Sequence, residues 1–220
     1  MSHQLEIDGI QLAFGTRTIL SDIYIKCETG KITGILGRNG EGKTCLMNVV
    51  HGSLAAGSKS IRFDTISIPR ALKRPDLLGY LPQFNFIPSS LTLKRIFSDF
   101  NLDYAEFENH FTDFRSKYKS GFTRLSGGEK RLVEVYVIIK AAARFAMLDE
   151  PFSHLMPLQI EKVKELLMAE KQHKGFFITD HMYEHVIDIC SDLYILTRGK
   201  TYRVKQLSDI EELGYVKQFP

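Results

Sequence analysis

The 220-residue chain has no tryptophan and only three cysteines, Cys27, Cys45 and Cys190. The cysteines are far apart and form no CxxC pair, which argues against metal ligation by cysteine and predicts reduced thiols in a cytosolic protein. Long apolar runs are missing as well. None reaches the roughly 20 residues needed to cross a bilayer, so a membrane role has to come through a partner. The opening Met1-Ser2-His3-Gln4-Leu5-Glu6 lacks the basic-then-apolar order of a secretory signal, and secretion by that route is not expected. An excess of one charge is absent too: 29 basic against 26 acidic residues leave a formal net charge of +3. That balance is too mild to argue for nucleic acid. Basic groups such as Arg70, Lys73 and Arg74 read as solvated faces. With 44% apolar and 25% charged residues, and no repeats or low-complexity tracts, the composition is that of one globular domain.

Hydrophobic spacing supplies the architecture. Leu5, Ile7, Ile10, Leu12 and Phe14 alternate, with a turn expected at Asp8-Gly9, and a second alternating run covers Ile19 to Ile25. These predict antiparallel strands. Lys31 to Leu36 is a short apolar strand, Lys43 to His51 has helical spacing, and Ser60 to Ile68 reads as two short strands. Pro88 to Tyr118 turns polar and helical, with Phe97, Phe100, Tyr104, Phe107 and Phe111 as its apolar face. The last third alternates strand and helix. Helices are predicted over 129–142, 158–172 and 183–190, and continuously apolar strands over 145–148, 176–179 and 193–196. Such strands belong to a parallel sheet covered on both faces. The expected fold is α/β, a mostly parallel sheet core with an N-terminal antiparallel β subdomain. A helical subdomain at about 88–142 is inserted into the single domain spanning 1–220.

The run Gly37-Arg38-Asn39-Gly40-Glu41-Gly42-Lys43-Thr44 matches GxxxxGK[ST], after an apolar strand and at the start of a helix. Glycines let successive backbone N–H groups turn inward on phosphate oxygens, and the helix N-terminus adds partial positive charge. The expected fold class is therefore a P-loop NTPase. Lys43 is expected to reach the β- and γ-phosphates and Thr44 to hold Mg²⁺. A second site follows the strand at 145–148, where Asp149 and Glu150 stand side by side before Pro151. Two adjacent carboxylates repel unless a divalent cation sits between them and the phosphates. Asp149 fits the Mg²⁺-side carboxylate, and Glu150 fits the base that polarises the attacking water.

With Leu125-Ser126-Gly127-Gly128-Glu129 placed between these two motifs, the chain resembles the ATP-binding cassette (ABC) proteins, whose LSGGQ signature it echoes. The order of the remaining motifs agrees. Gln83 in Gly79-Tyr80-Leu81-Pro82-Gln83 looks like the Q-loop glutamine, His181 in Ile178-Thr179-Asp180-His181 like the switch histidine, and Phe14 like the aromatic that stacks on adenine. The likeness covers about residues 5–205. It implies ATP and Mg²⁺ as cofactors, with Glu150, His181 and Gln83 catalytic and Thr44, Gln83 and Asp149 on the metal. The implied nucleotide set is Phe14, Gly37, Asn39, Gly40, Glu41, Gly42, Lys43, Thr44 and Cys45. It also implies a head-to-tail pair, either two copies or two related subunits, in which Ser126, Gly127, Gly128 and Glu129 meet the ATP of the partner.

Two departures stand out. Glu129 replaces the usual glutamine. After the acids, Ser153-His154-Leu155-Met156 puts methionine where family members carry an aspartate that aligns the opposite site, so weaker coupling or slower hydrolysis is expected. The resemblance implies an ATPase subunit on the cytoplasmic face of a membrane, bound to a separate transmembrane permease. Phe84-Asn85-Phe86-Ile87 is then either a groove for a permease helix or packing for the helical subdomain. LSGGE, DEPF and ITDH are similar in wording to ATPases of lipopolysaccharide export and branched-chain amino-acid uptake. The alternatives are a soluble ABC ATPase, disfavoured because those usually carry two cassettes or a long coiled coil, and a low-turnover regulator.

Overall fold

The computed structural model describes residues 2–206, 208–213 and 215. In chain order its strands are β1 (Gln4–Phe14), β2 (Arg17–Leu20), β3 (Tyr24–Glu28), β4 (Ile32–Leu36), β5 (Ser58–Phe63), β6 (Ile66–Ser67), β7 (Leu78–Leu81), β8 (Phe145–Asp149), β9 (Gly175–Thr179), β10 (Asp192–Thr197) and β11 (Lys200–Val204). The helices are α1 (Lys43–His51), α2 (Leu93–Asp99), α3 (Tyr104–His110), α4 (Gly127–Lys140), α5 (Pro157–Glu170), α6 (Tyr183–Ile189) and α7 (Ser208–Glu212).

Two sheets result. The first is antiparallel and N-terminal, with β1 pairing β2, β3 and β5. The turn expected at Asp8-Gly9 does not form. Gly9 takes a φ of +60° and the register slips, but β1 runs through, because its two halves pair with different partners. The second sheet has the order β11-β10-β4-β9-β8-β7, parallel except for β11. The β7 strand and the C-terminal β11 and α7 were not foreseen. They are short, and β11 is largely exposed, so none of the three carries a clean apolar period.

Strand alternation divides the core. Ala146 and Leu148 on β8 join a cluster with α4, α5 and the inserted helices, while Phe145 and Met147 join one with the N-terminal sheet and α1. Each fully buried side chain of this size contributes about 1.5–3 kcal/mol. Between β7 and β8 the predicted aromatic face closes on itself. Phe107 lies 5.0 Å from Phe97 and 4.8 Å from Tyr136, ring centre to ring centre. The α4 helix starts two residues earlier than its apolar stripe implied. Ser126 caps it: its hydroxyl accepts from the Glu129 N–H at 3.3 Å, and the Glu129 carboxylate accepts from the Ser126 N–H at 2.8 Å.

The parallel order puts the carboxyl ends of β4, β7, β8 and β9 along one edge. That edge is where open α/β sheets bind ligands. The glycine loop leaves β4, Gln83 follows β7, Asp149 ends β8 and His181 follows β9.

Candidate active site

A cleft of about 590 Å³ opens at that edge, lined by residues that include Asn39, Gly40, Gly42, Lys43, Thr44, Cys45, Gln83, Glu150 and His181. Five parts of the chain, from Arg17 on β2 to His181 after β9, meet there. The glycine loop turns as its sequence requires: Gly40 and Gly42 have φ of +86° and +99°, a region that side chains with a Cβ enter only with strain. No side chain caps α1. Its first-turn N–H groups therefore stay available to an anion. Lys43 is buried and donates to the carbonyls of Gly37 and Arg38. Burial lowers its pKa, against the pull of Glu150, Asp149, Glu41 and Asp180. Oxygens of a phosphate tail are acceptors of the kind it already uses.

Asp149 is 1% exposed, and its Oδ2 has no hydrogen-bond partner. Burial, helped by the neighbouring Glu150 charge, pushes its carboxyl up to about 6, with the Thr44 hydroxyl and then Arg131 and Lys43 opposing the rise. A buried carboxylate oxygen without a partner, beside a hydroxyl, fits a divalent cation. Among the described residues no group of three His, Cys, Asp or Glu forms a cation cage. The donor set of Thr44, Gln83 and Asp149 suits Mg²⁺, which keeps waters and shares phosphate oxygens.

Glu150 sits in the left-handed region at φ +53°. Its N–H bonds the Thr179 carbonyl at 2.8 Å, and its Oε2 accepts from the Ser153 hydroxyl at 3.2 Å. The His181 Nδ1 lies 3.7 Å from the same oxygen. Such backbone strain costs on the order of 1–3 kcal/mol and persists only where the surroundings enforce it.

The enforcing residues were not singled out from the sequence. Arg131 on α4 is buried; it donates to Pro82 O at 2.8 Å, to Glu150 O at 2.9 Å and to Asp149 O. One guanidinium thus ties the segment before Gln83 to both acids. One turn on, buried Glu134 accepts from the N–H groups of Phe86 at 2.8 Å and Ile87 at 3.1 Å. Burial lowers the Arg131 pKa and raises that of Glu134. Asp180 accepts from the Phe152 and Met182 N–H groups, each at 2.9 Å, joining the two acidic-side loops. The available signal was a charged residue inside an apolar helical run, Leu132-Val133-Glu134-Val135.

Other expected residues fall as follows. Phe14 is 52% exposed at the tip of the β1–β2 hairpin and does not line the cleft, whereas Arg17 and Ile19 on β2 do. The Glu41 side chain turns away to accept from the Arg198 N–H at 2.7 Å, so only its backbone remains for the nucleotide. Gly37 lies against β10, where an added Cβ would stand 2.7 Å from Leu196 O. Ser126, Gly127 and Gly128 open α4 away from this cleft. The Glu129 carboxylate is taken by its cap and by Lys117. Met156 is 60% exposed. The Phe84–Ile87 run divides: Phe84 is 78% exposed, while Ile87 is buried and Phe86 packs edge-on to Phe100.

Comparison with known proteins agrees with this arrangement. The family model described as ABC transporter matches residues 20–153. The chain is 27% identical over 232 residues to the lipopolysaccharide export system ATP-binding protein LptB of Acidithiobacillus ferridurans, covering 99% of this chain and 96% of that protein. It is 29% identical to LptB of Escherichia coli K12, covering 89% and 87%. It is 26% identical to the ABC transporter ATP-binding protein YtrB of Bacillus subtilis, covering 97% and 75%. A solved ATP-binding subunit of an ABC transporter superposes with a TM-score of 0.79 at 22% identity, over 96% of this chain and 93% of that one. The chain belongs to the ABC transporter family, as an ATP-binding cassette.

Proposed function

We propose that this chain is the ATP-hydrolysing subunit of a two-component transporter, seated on the cytoplasmic face of a membrane through a separate permease. The observation that carries the reading is the common cleft: the phosphate loop and the water-side carboxylate Glu150 share one cavity with Gln83 and His181, and the unpartnered Asp149 carboxylate is buried next to Glu150 in the chain. The curated relatives that match most of its length include ATP-binding proteins of lipopolysaccharide export systems. Among the described residues no helix is long and apolar enough to cross a membrane, and this reading assigns the transport path to the permease. Exposed Phe84, next to Gln83, is the apolar contact we assign to that permease.

The chemistry follows from the side chains. The N–H groups at the start of α1 and Lys43 bind the β- and γ-phosphates and hold the γ-phosphorus in line for attack. Glu150 accepts a hydrogen bond from a water, whose oxygen bonds to the γ-phosphorus as the bond to the β–γ bridging oxygen breaks. ADP leaves, and the water's proton passes to Glu150 or solvent. His181 holds the γ-phosphate side of that water. Thr44, Gln83 and Asp149 would hold Mg²⁺, which would supply charge neutralisation to the phosphate tail when bound. The signature start of α4, Ser126 to Gly128, lies away from its own cleft and is assigned to the nucleotide of a second cassette, identical or related. The helical subdomain at about 88–142 is the natural lever between Phe84 and that signature.

The test is co-purification. The tagged chain, drawn from membranes of its own cells in mild detergent, should bring down a multi-span protein in stoichiometric amount. The complex should hydrolyse ATP, and the Lys43→Ala complex should assemble without activity. A chain that stays in the soluble fraction, with no multi-span partner, would leave a soluble ABC ATPase as the reading.

A further inference from the structure

Residues 17–20 form β2, whose inner end is pressed on the phosphate loop. A Cβ on Gly42 would stand 2.8 Å from the Ile19 Cγ2, so Ile19 covers the loop at the first residue of its turn into α1. The register slips by one residue between the Ala13–Thr18 and Leu12–Leu20 pairs, so it is the cavity and not strand alternation that brings Arg17 and Ile19 together. Both line the cleft with Gly42 and Cys45. Arg17 is also the cross-strand partner of Phe14, and directly opposed residues project from one face of a hairpin. Phe14 and Arg17 therefore share a face at the hairpin tip, and Arg17 and Ile19 line the cleft between that tip and the loop.

Charge along the cleft is uneven. The acids Asp149 and Glu150 gather at the end with Gln83 and His181, and Lys43 is the cation there. At the hairpin end Arg17 is exposed and, among the described residues, has no carboxylate within ion-pair reach. A guanidinium costs little to present when exposed, and a charge-assisted bond to a phosphate is one of the stronger contacts a protein makes.

We propose that Arg17 is a nucleotide-binding residue, a second cation that holds the phosphate tail of a nucleoside di- or triphosphate at its ribose end. The proposal rests on the nucleotide reading of the cleft and adds the residue that reads charge at the end remote from Lys43. Arg17 contributes similarly to ADP and ATP, since both carry phosphate there.

Calorimetric titration of ADP and ATP into the full chain tests it, for wild type, Arg17→Met and Arg17→Lys, at several NaCl concentrations. Arg17→Met is expected to raise both dissociation constants about tenfold and to flatten their dependence on salt. Arg17→Lys, which keeps the charge without the planar fork, recovers part of the loss. Unchanged affinity in Arg17→Met overturns the assignment. So does a loss with unaltered salt dependence, which would make the contact one to the base. If folded wild-type protein binds neither nucleotide, the reading of the cleft itself falls. An unchanged melting temperature for both variants, expected at an exposed position, separates binding from folding.

Discussion

An added Cβ on Gly128 would stand 2.6 Å from the carbonyl oxygen of His154. The first turn of the signature helix thus rests directly on the loop that follows Glu150, backbone against side-chain position. His154 itself has φ +66°, so that loop has little freedom to retreat. Gly128→Ala is expected to cost about 2 kcal/mol through overpacking, a fall in Tm of roughly 4–8 °C for a chain of this size. Gly127→Ala, with nothing within 4 Å of its Cβ position, should leave Tm unchanged or slightly raised. Differential scanning calorimetry of the pair distinguishes crowding from a general need for glycine.

Glu150→Gln keeps the shape and hydrogen-bonding reach of the side chain but removes the base. ATP binding should persist while turnover falls by about 10²-fold or more. Phosphate release under saturating ATP measures the second quantity and calorimetry the first. Full turnover in this variant removes Glu150 from its role.

Arg131 and Glu134 make opposite demands. Arg131→Met strands Pro82, Asp149 and Glu150 carbonyls and leaves Glu134 without its nearby cation, at 3.9 Å. Breaking a buried pair in this way costs about 3–5 kcal/mol. Glu134→Gln retains an acceptor for the Phe86 and Ile87 N–H groups, and its cost should stay near 1–2 kcal/mol. Urea midpoints give both values. A steep ATPase loss in Glu134→Gln with little loss of stability would show that segment 84–87 reports to Glu150 through α4.

Asp149 fixes a pH dependence. Its carboxyl, at about 6 in the fold, is raised from 3.8. Between those values the folded chain binds a proton that the unfolded chain releases, so stability falls as pH rises from about 4 to 6 and is level above. The net cost of charging Asp149 in the fold, which Asp149→Asn removes, is about 3 kcal/mol at pH 7. In EDTA and without nucleotide, that variant should melt higher than wild type at pH 7 and equally near pH 4. Equal melting at both pH values would contradict the burial of a charged Asp149.

Met156 is the N-cap residue of α5, with no side-chain cap of its own. Met156→Asp should add about 1 kcal/mol by capping the helix, seen as a higher Tm. It should also raise ATPase activity or its cooperativity if the carboxylate aligns a second site. The rate against ATP concentration reads the second effect independently of the first.

What the sequence by itself determined is local. The glycine loop, the apolar strand before Asp149 and Glu150, and the Ser126–Glu129 cap all lie within a few residues, where spacing and backbone freedom decide the outcome. The motif order also foretold which loops meet. The tertiary structure alone decided what crosses between them. Arg131 finds three carbonyls because β7 and β8 are neighbours, and Glu134 finds two N–H groups because α4 passes beneath the segment after Gln83. Gly128 touches His154, and Arg17 shares a face with Phe14, only through packing and hairpin register. Backbone groups left over at strand ends have no sequence signature. Which side chain satisfies them depends on the order in which the crossovers lay the strands down.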